Sequence, residues 1–205
     1  MRHQGIINIR NCINKRASKD SKIIEAHESK LSCLSINNDG SLLATSSDRG
    51  TLIRIFRPPN GENITAFRRG TKNVTMNCIT FSPNKIFIGC ARDVRTIHIF
   101  SIASITKKYN ENNNKSNNEN YLEEAKNQKS FLGKIGGFFK ITNEYMEQER
   151  SFAKFRIPDE YSLLGNDNTI NVITMDGEYY KAAYAPKNGG DFHKIEDKNF
   201  MVDII

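Results

Sequence analysis

Thr51-Leu52-Ile53-Arg54-Ile55-Phe56 and, 45 residues later, Thr96-Ile97-His98-Ile99-Phe100 decide the fold. Both runs are rich in β-branched and aromatic residues and end at the same Ile-Phe, so both read as short strands. Working outward, the same series precedes each. Ser32-Cys33-Leu34-Ser35-Ile36 stands over Asn77-Cys78-Ile79-Thr80-Phe81, with Cys33 and Cys78 again 45 residues apart. A polar turn follows, Asn37-Asn38-Asp39-Gly40 or Ser82-Pro83-Asn84-Lys85. Then comes an apolar strand, 41–46 or 86–91, and a second polar turn, Ser47 to Gly50 or Arg92 to Arg95. Helical periodicity is absent here. A period near 45 with several short strands per unit is the pattern of β-propeller blades.

The repeat extends in both directions. A fourth strand of the first unit is expected at Asn63 to Phe67. That of the second is delayed to Phe152-Ala153-Lys154-Phe155-Arg156. A last unit is expected from Ser162-Leu163-Leu164, Thr169 to Thr174 and Glu178 to Ala182, with Asp176-Gly177 as a tight hairpin turn. Upstream, Gly5 to Arg10 and Ser21 to Ile24 read as closing strands of a preceding blade. About three blades and a remnant are present, whereas closed propellers have four to eight. The expectation is the C-terminal part of a longer propeller.

The chain has 205 residues, 38% hydrophobic and 26% charged, with a net charge of +7. That balance favours anionic partners: nucleic acid, an anionic membrane or phosphorylated ligands. No apolar run is long enough to span a bilayer, and residues 1–22 lack the apolar core of a signal sequence. The cysteines (Cys12, Cys33, Cys78, Cys90) and the histidines (His3, His27, His98, His193) lack metal-ligand spacing. Cys33, Cys78 and Cys90 read as small core residues in a reducing cytoplasm.

Arg68 and Arg69 follow the strand ending at Phe67. Successive strand side chains point to opposite faces. Neighbouring arginines there serve two pockets more easily than one, and the guanidinium fork suits phosphate. Twin anion sites are one reading; a solvated surface dipeptide is the other.

Glu25-Ala26-His27, Leu43 through Phe56, Phe67-Arg68-Arg69-Gly70 and Thr96 through Phe100 together resemble the PROPPIN family of WD-repeat phosphoinositide-binding proteins. Gly189-Gly190-Asp191 to Phe200 is similar to the family's C-terminal tail. The resemblance covers nearly the whole chain apart from Lys107 to Lys126. It implies an all-β, WD40-type propeller of seven blades, of which this chain carries the end of blade four and blades five to seven. The corresponding divisions are 1–24, end of a blade; 25–70, a blade with a first phosphoinositide site; 71–106 with 150–158, a blade with a second; 107–149, an inserted loop; and 159–205, the last blade and tail. By resemblance the first site uses His27, Ser47, Thr51, Arg54 and Arg68. The second uses Arg69, Thr96 and His98, with Arg92 at the position matching Ser47. Arg92 departs from the family's small polar residue, and either adds a phosphate contact or crowds the ring.

The chemistry of these residues agrees with that assignment. The arginines supply fixed charge, and Ser47, Thr51 and Thr96 can donate hydroxyl hydrogen bonds to phosphate. Protonated His27 and His98 could donate from both ring nitrogens, so an acidic surface should strengthen binding. Each hydroxyl and histidine could equally close a hydrogen bond inside the blade. Two sites on one rim would gain avidity on one membrane.

The inserted loop holds an Asn-rich stretch, Asn110 to Asn120, expected to be disordered. Lys129 to Lys140 follows. Wound as a helix, Phe131, Leu132, Ile135, Phe138 and Phe139 gather on one side, with Lys129, Lys134 and Lys140 adding charge. That composition suits membrane insertion, with the glycines at 133, 136 and 137 delaying folding until lipid contact. The other reading packs the run on the propeller side.

The expected function is a non-enzymatic peripheral effector. It binds phosphatidylinositol 3-phosphate or 3,5-bisphosphate in autophagy and endolysosomal traffic. Resemblance implies a cytoplasmic protein visiting autophagosomal, endosomal or vacuolar membranes. Its partners would be membrane phosphoinositides and autophagy lipid-transfer or conjugation-scaffold proteins. The alternative is a WD-repeat scaffold that grips acidic peptides without lipid. No catalytic motif, phosphate-cradling Gly loop, metal cluster or cofactor signature is evident. Nucleic acid is not an expected partner, because stacking aromatics are not interleaved with the basic residues.

Overall fold

A computed structural model describes residues 5–10, 21–92, 96–105, 149–156, 161–166, 169–174, 177–183, 190–191 and 193–199. The Asn-rich stretch and the run containing Phe131, Leu132, Ile135, Phe138 and Phe139 lie outside them.

The described chain is built of strands. β1 (Gly5–Arg10) and β2 (Ser21–His27) form an antiparallel pair. β3 (Leu31–Ile36), β4 (Leu43–Ser47), β5 (Leu52–Arg57) and β6 (Glu62–Arg68) form an antiparallel meander. β7 (Met76–Phe81), β8 (Phe87–Arg92) and β9 (Thr96–Ser101) begin a second one. Two residues, β10 (Glu149–Arg150), pair in parallel with the outer edge of β6. The chain then crosses to β11 (Ala153–Arg156), which closes the second meander against β9. The delayed fourth strand is thus where the repeat places it. β12 (Tyr161–Asn166), β13 (Thr169–Thr174) and β14 (Glu178–Ala183) follow in order. β15 (Gly190–Asp191) lies beside β11, and β16 (His193–Asn199) completes the last sheet against β14.

The repeat is visible down to its turns. Asn37 and Ser82, 45 residues apart, each accept a backbone N–H from the strand that follows: Leu42 N to Asn37 Oδ1 at 2.9 Å, and Phe87 N to Ser82 Oγ at 2.9 Å. Gly40 at φ 70° and Lys85 at φ 59° hold equivalent left-handed positions. One equivalence needs correction. The offset of 45 read at Thr51 and Thr96 does not continue into the strands. Thr45 pairs with Arg54 and Cys90 with His98; Leu43 pairs with Phe56 and Ile88 with Phe100. His98 therefore stands where Arg54 stands, 44 residues on, because three residues rather than four separate β8 from β9.

Alternation along each strand feeds two cores at once. Leu43 and Phe56 join Ile24 and Ala26 between the first and second sheets. Ala44, Ile53, Ile55 and Phe67 face the other way and meet Ile79, Ile88, Cys90 and Phe100. Phe67 stacks on Phe100 at 5.1 Å between ring centroids. A third core, with Ile97, Ile99, Phe152, Val172 and Tyr180, joins the second meander to the last sheet. Cys90 is buried as expected, whereas Cys33 and Cys78 are only half-buried. Burial pushes the Cys33 thiol up, and the nearby Cys78 adds to it.

Candidate functional site

The seam between the first two sheets opens at the rim into a cleft. It is half open to solvent, and its interior holds only about 20 Å³ for a water-sized sphere. His27, Ser47, Thr51 and Arg54 line it, with Glu28, Ser29, Arg49 and Leu52. Four residues expected at one site are thus brought together from β2, β4, β5 and the turn between the latter two. Arg54 donates from Nη1 to the Ala26 carbonyl at 2.7 Å, which ties β5 to β2 across the seam. Among the described residues nothing accepts from its buried Nε. Ser47 is buried and Thr51 half-buried.

His27 is 7% exposed, and its Nε2 shares a 2.9 Å hydrogen bond with Thr45 Oγ1. Burial, and then the charge of Arg54, push its pKa down to about 4. The ring is therefore neutral at cytoplasmic and mildly acidic pH. This corrects the expectation that an acidic surface protonates it. The in-blade hydrogen bond is observed, and it leaves His27 on the cleft wall.

Arg68 lies on β6 opposite Leu52, just as Ala66 lies opposite Arg54. Paired residues of an antiparallel ladder share a face, so Arg68 shares the face of Arg54 and Leu52 and looks toward the first seam. Arg69 is turned the other way and is 6% exposed. Its backbone N–H donates to Thr51 O at 3.0 Å, its Nε to Gly50 O at 2.8 Å and its Nη2 to Lys72 O at 2.6 Å. The strand face that carries Arg68 and the side chain of Arg69 are therefore on opposite sides. Two of the donors on Arg69 go to carbonyls of its own chain, which the sequence pattern did not reveal.

The second seam holds the remaining candidates. His98 is buried, its Nδ1 lies 3.3 Å from Ser151 Oγ, and its ring stacks on Phe100 at 6.4 Å. Thr96 opens β9, half-buried, opposite Arg156. Arg92 ends β8 opposite Met76, and its side chain lies outside the described part.

Sequence reading missed Arg49, Ser29 and Glu28. Arg49 lies 3.9 Å from Glu28, and Ser29 Oγ donates to Asp48 Oδ1 at 2.6 Å. Arg49 and Asp48 fall inside the polar turn 47–50, whose position between two strands was the available signal. Among the described residues no group of His, Cys, Asp and Glu is arranged to hold a metal, and no helix is long and apolar enough to cross a membrane.

A family model described as PROPPIN matches residues 11–196. Autophagy-related protein 18 of Schizosaccharomyces pombe is 32% identical over 178 residues, covering 82% of this chain and 47% of that protein. The human WD repeat domain phosphoinositide-interacting protein 1 is 30% identical, covering 87% and 40%. Among solved structures, Kluyveromyces lactis Hsv2 aligns with a TM-score of 0.69 at 16% identity, covering 96% of this chain and 56% of that one. KlAtg21, solved in complex with the coiled coil of AgAtg16, aligns at 0.60 with 19% identity, covering 95% and 54%. These structures share the β-propeller fold. The chain spans about half the length of the curated relatives it matches. It belongs to the PROPPIN family.

Proposed function

We propose that the chain is part of a non-enzymatic, peripheral membrane effector that binds 3-phosphorylated phosphoinositides in autophagy and endolysosomal traffic. The observation that carries this reading is the rim cleft uniting His27, Ser47, Thr51 and Arg54, with Arg68 on the same sheet face. Hydroxyls and guanidinium converge there beside a neutral histidine. That set offers charge-assisted donors to a phosphate without a metal. Arg69, Thr96 and His98, with Arg92, would form a second site on the next seam. Phe131, Leu132, Ile135, Phe138 and Phe139 would insert beside them. Membership of the family supports the assignment, as do relatives named for autophagy and for phosphoinositide interaction.

Sedimentation with liposomes tests it. Binding should require the 3-phosphorylated inositide, and Arg68→Thr/Arg69→Thr should reduce it at least about tenfold, the worth of one lost charge-assisted hydrogen bond. Retention of wild-type binding in that variant would favour the second reading, a scaffold for protein partners. That reading draws on one structural neighbour, KlAtg21, held with a coiled coil.

A further inference from the structure

The mouth of the first cleft carries a carboxylate. Glu28 follows His27 in the link between β2 and β3, and it lines the cleft together with Arg49. Both side chains are more than half exposed, and Arg49 Nη1 lies 3.9 Å from Glu28 Oε2. A pair that open and that long is held weakly, so Glu28 stays available to a ligand. The deeper donors are Ser47, which is buried, and Arg54, which is tied to the Ala26 carbonyl. The cleft interior, about 20 Å³ for a water-sized sphere, has room for one or two waters and none for an inositol ring. A phosphate that reaches Ser47 and Arg54 therefore leaves its ring at the mouth, against Glu28 and Arg49.

The backbone around Glu28 fixes its place. Asp48 N donates to Lys30 O at 2.8 Å, Ser32 Oγ to Ser47 O at 3.1 Å and Ser29 Oγ to Asp48 Oδ1 at 2.6 Å. These bonds fasten residues 29–32 to the turn that supplies Ser47, Arg49 and Thr51. Charge sets a limit as well. Among the described residues that line the cleft are two arginines and one carboxylate, and His27 is neutral, which leaves a net charge of +1. One phosphomonoester carries about −1.5 to −2 at neutral pH, so a single phosphate already more than balances that lining.

We propose that Glu28 is a specificity-determining residue: it accepts a hydrogen bond from the ring hydroxyl next to the held phosphate and discriminates against an inositide with a second phosphate at that carbon. The proposal rests on the phosphoinositide reading above and deepens it. An ionised carboxylate accepts hydrogen bonds and donates none. It therefore favours a hydroxyl over a phosphate, whose oxygens also accept and whose charge it repels. With the phosphate held at ring position 3, the neighbouring carbons are 2 and 4. Position 2 adjoins the lipid-bearing phosphate at position 1, itself an anion, so position 4 is the favourable neighbour for a carboxylate. The 3,5-bisphosphate keeps its hydroxyl there, whereas the 3,4-bisphosphate replaces it. These two lipids carry equal charge, so position alone tells them apart.

Flotation with phosphatidylcholine vesicles tests it, using the 205-residue chain and its Glu28→Gln variant, which keeps an acceptor oxygen and removes the charge. The wild type should bind the 3-phosphate inositide better than the 3,4-bisphosphate. Glu28→Gln should raise binding of the 3,4-bisphosphate about tenfold, the order expected for relief of one like-charge contact near a surface. The 3-phosphate and the 3,5-bisphosphate should change markedly less. Equal gains on the two bisphosphates would mark a diffuse electrostatic effect and overturn the assignment. So would a wild type indifferent to the 4-phosphate, or unchanged 3,4-bisphosphate binding in the variant. The water-soluble deacylated headgroups should show the same contrast by calorimetry; its absence there would place the effect in the membrane surface, and the proposal would fail. A wild type that binds no 3-phosphorylated inositide above phosphatidylinositol sinks the phosphoinositide reading and this proposal with it. Intact 3-phosphate binding beside any of the other adverse results sinks only the role of Glu28.

Discussion

His27 shows how burial changes what a residue can contribute. Its ordinary pKa is 6.5, and in the fold it is about 4. The unfolded chain therefore takes up the proton first as pH falls. The stabilising contribution of neutral His27 is complete above pH 6.5 and is lost progressively toward pH 4. Melting temperatures across that range should fall more steeply for the wild type than for His27→Gln; parallel curves would show that His27 does not titrate between the two values. Arg69 makes the complementary point. A guanidinium expected to hold phosphate also fastens the carbonyls of Gly50 and Lys72. Its replacement removes architecture together with charge.

Among the elements, the turn between β4 and β5 is the most demanding. Gly50 adopts φ +56°, and a Cβ there would lie 1.9 Å from the Val74 carbonyl oxygen. The same turn supplies Thr51 to the cleft and two carbonyls to Arg69. Gly50→Ala should destabilise the fold by about 1–3 kcal/mol from backbone strain alone, measured by chemical denaturation. It should weaken headgroup binding as well; a stability loss within that range would mean that the loop at Val74 yields freely, a larger one that it does not, and unchanged stability would refute the strain. Strands and turns were legible because alternation and turn chemistry are local. The pairings of β3 with β4 and of β9 with the delayed β11 follow from the repeat, whereas the gathering of His27, Ser47, Thr51 and Arg54 was implied by the family resemblance and not by the repeat. The one-residue slip that sets His98 against Arg54 was not legible, since a period read at Thr51 and Thr96 cannot reveal where a strand begins to pair. Nor was β10, because two residues carry no periodicity, and their partner lies more than 80 residues earlier.

Across the whole molecule, apolar side chains remain exposed at both ends of the sheet series. Leu34 and Ile36 pair with Thr45 and Leu43, so they share the face that looks toward β1 and β2. Among the described residues that first sheet has two strands, which leave Leu34 and Ile36 58% and 56% exposed. Ile6 and Ile23 are exposed beyond them, and Ile173 and Ile195 on the last sheet. Exposed apolar faces of this kind drive association. Light scattering should therefore find the chain, taken alone, self-associating at raised concentration, and Leu34→Glu/Ile36→Glu should reduce it; a monodisperse wild type would argue that these faces are already covered. The pairing of Ala153 with Ile99 has a consequence of another kind. The departure and return points of the insertion sit on adjacent strands, so the blade closes whatever lies between them. Each doubling of that length costs only about 0.6 kcal/mol of closure entropy. Evolution can therefore lengthen, trim or recompose the segment almost freely while the strands on either side of it keep their pairing.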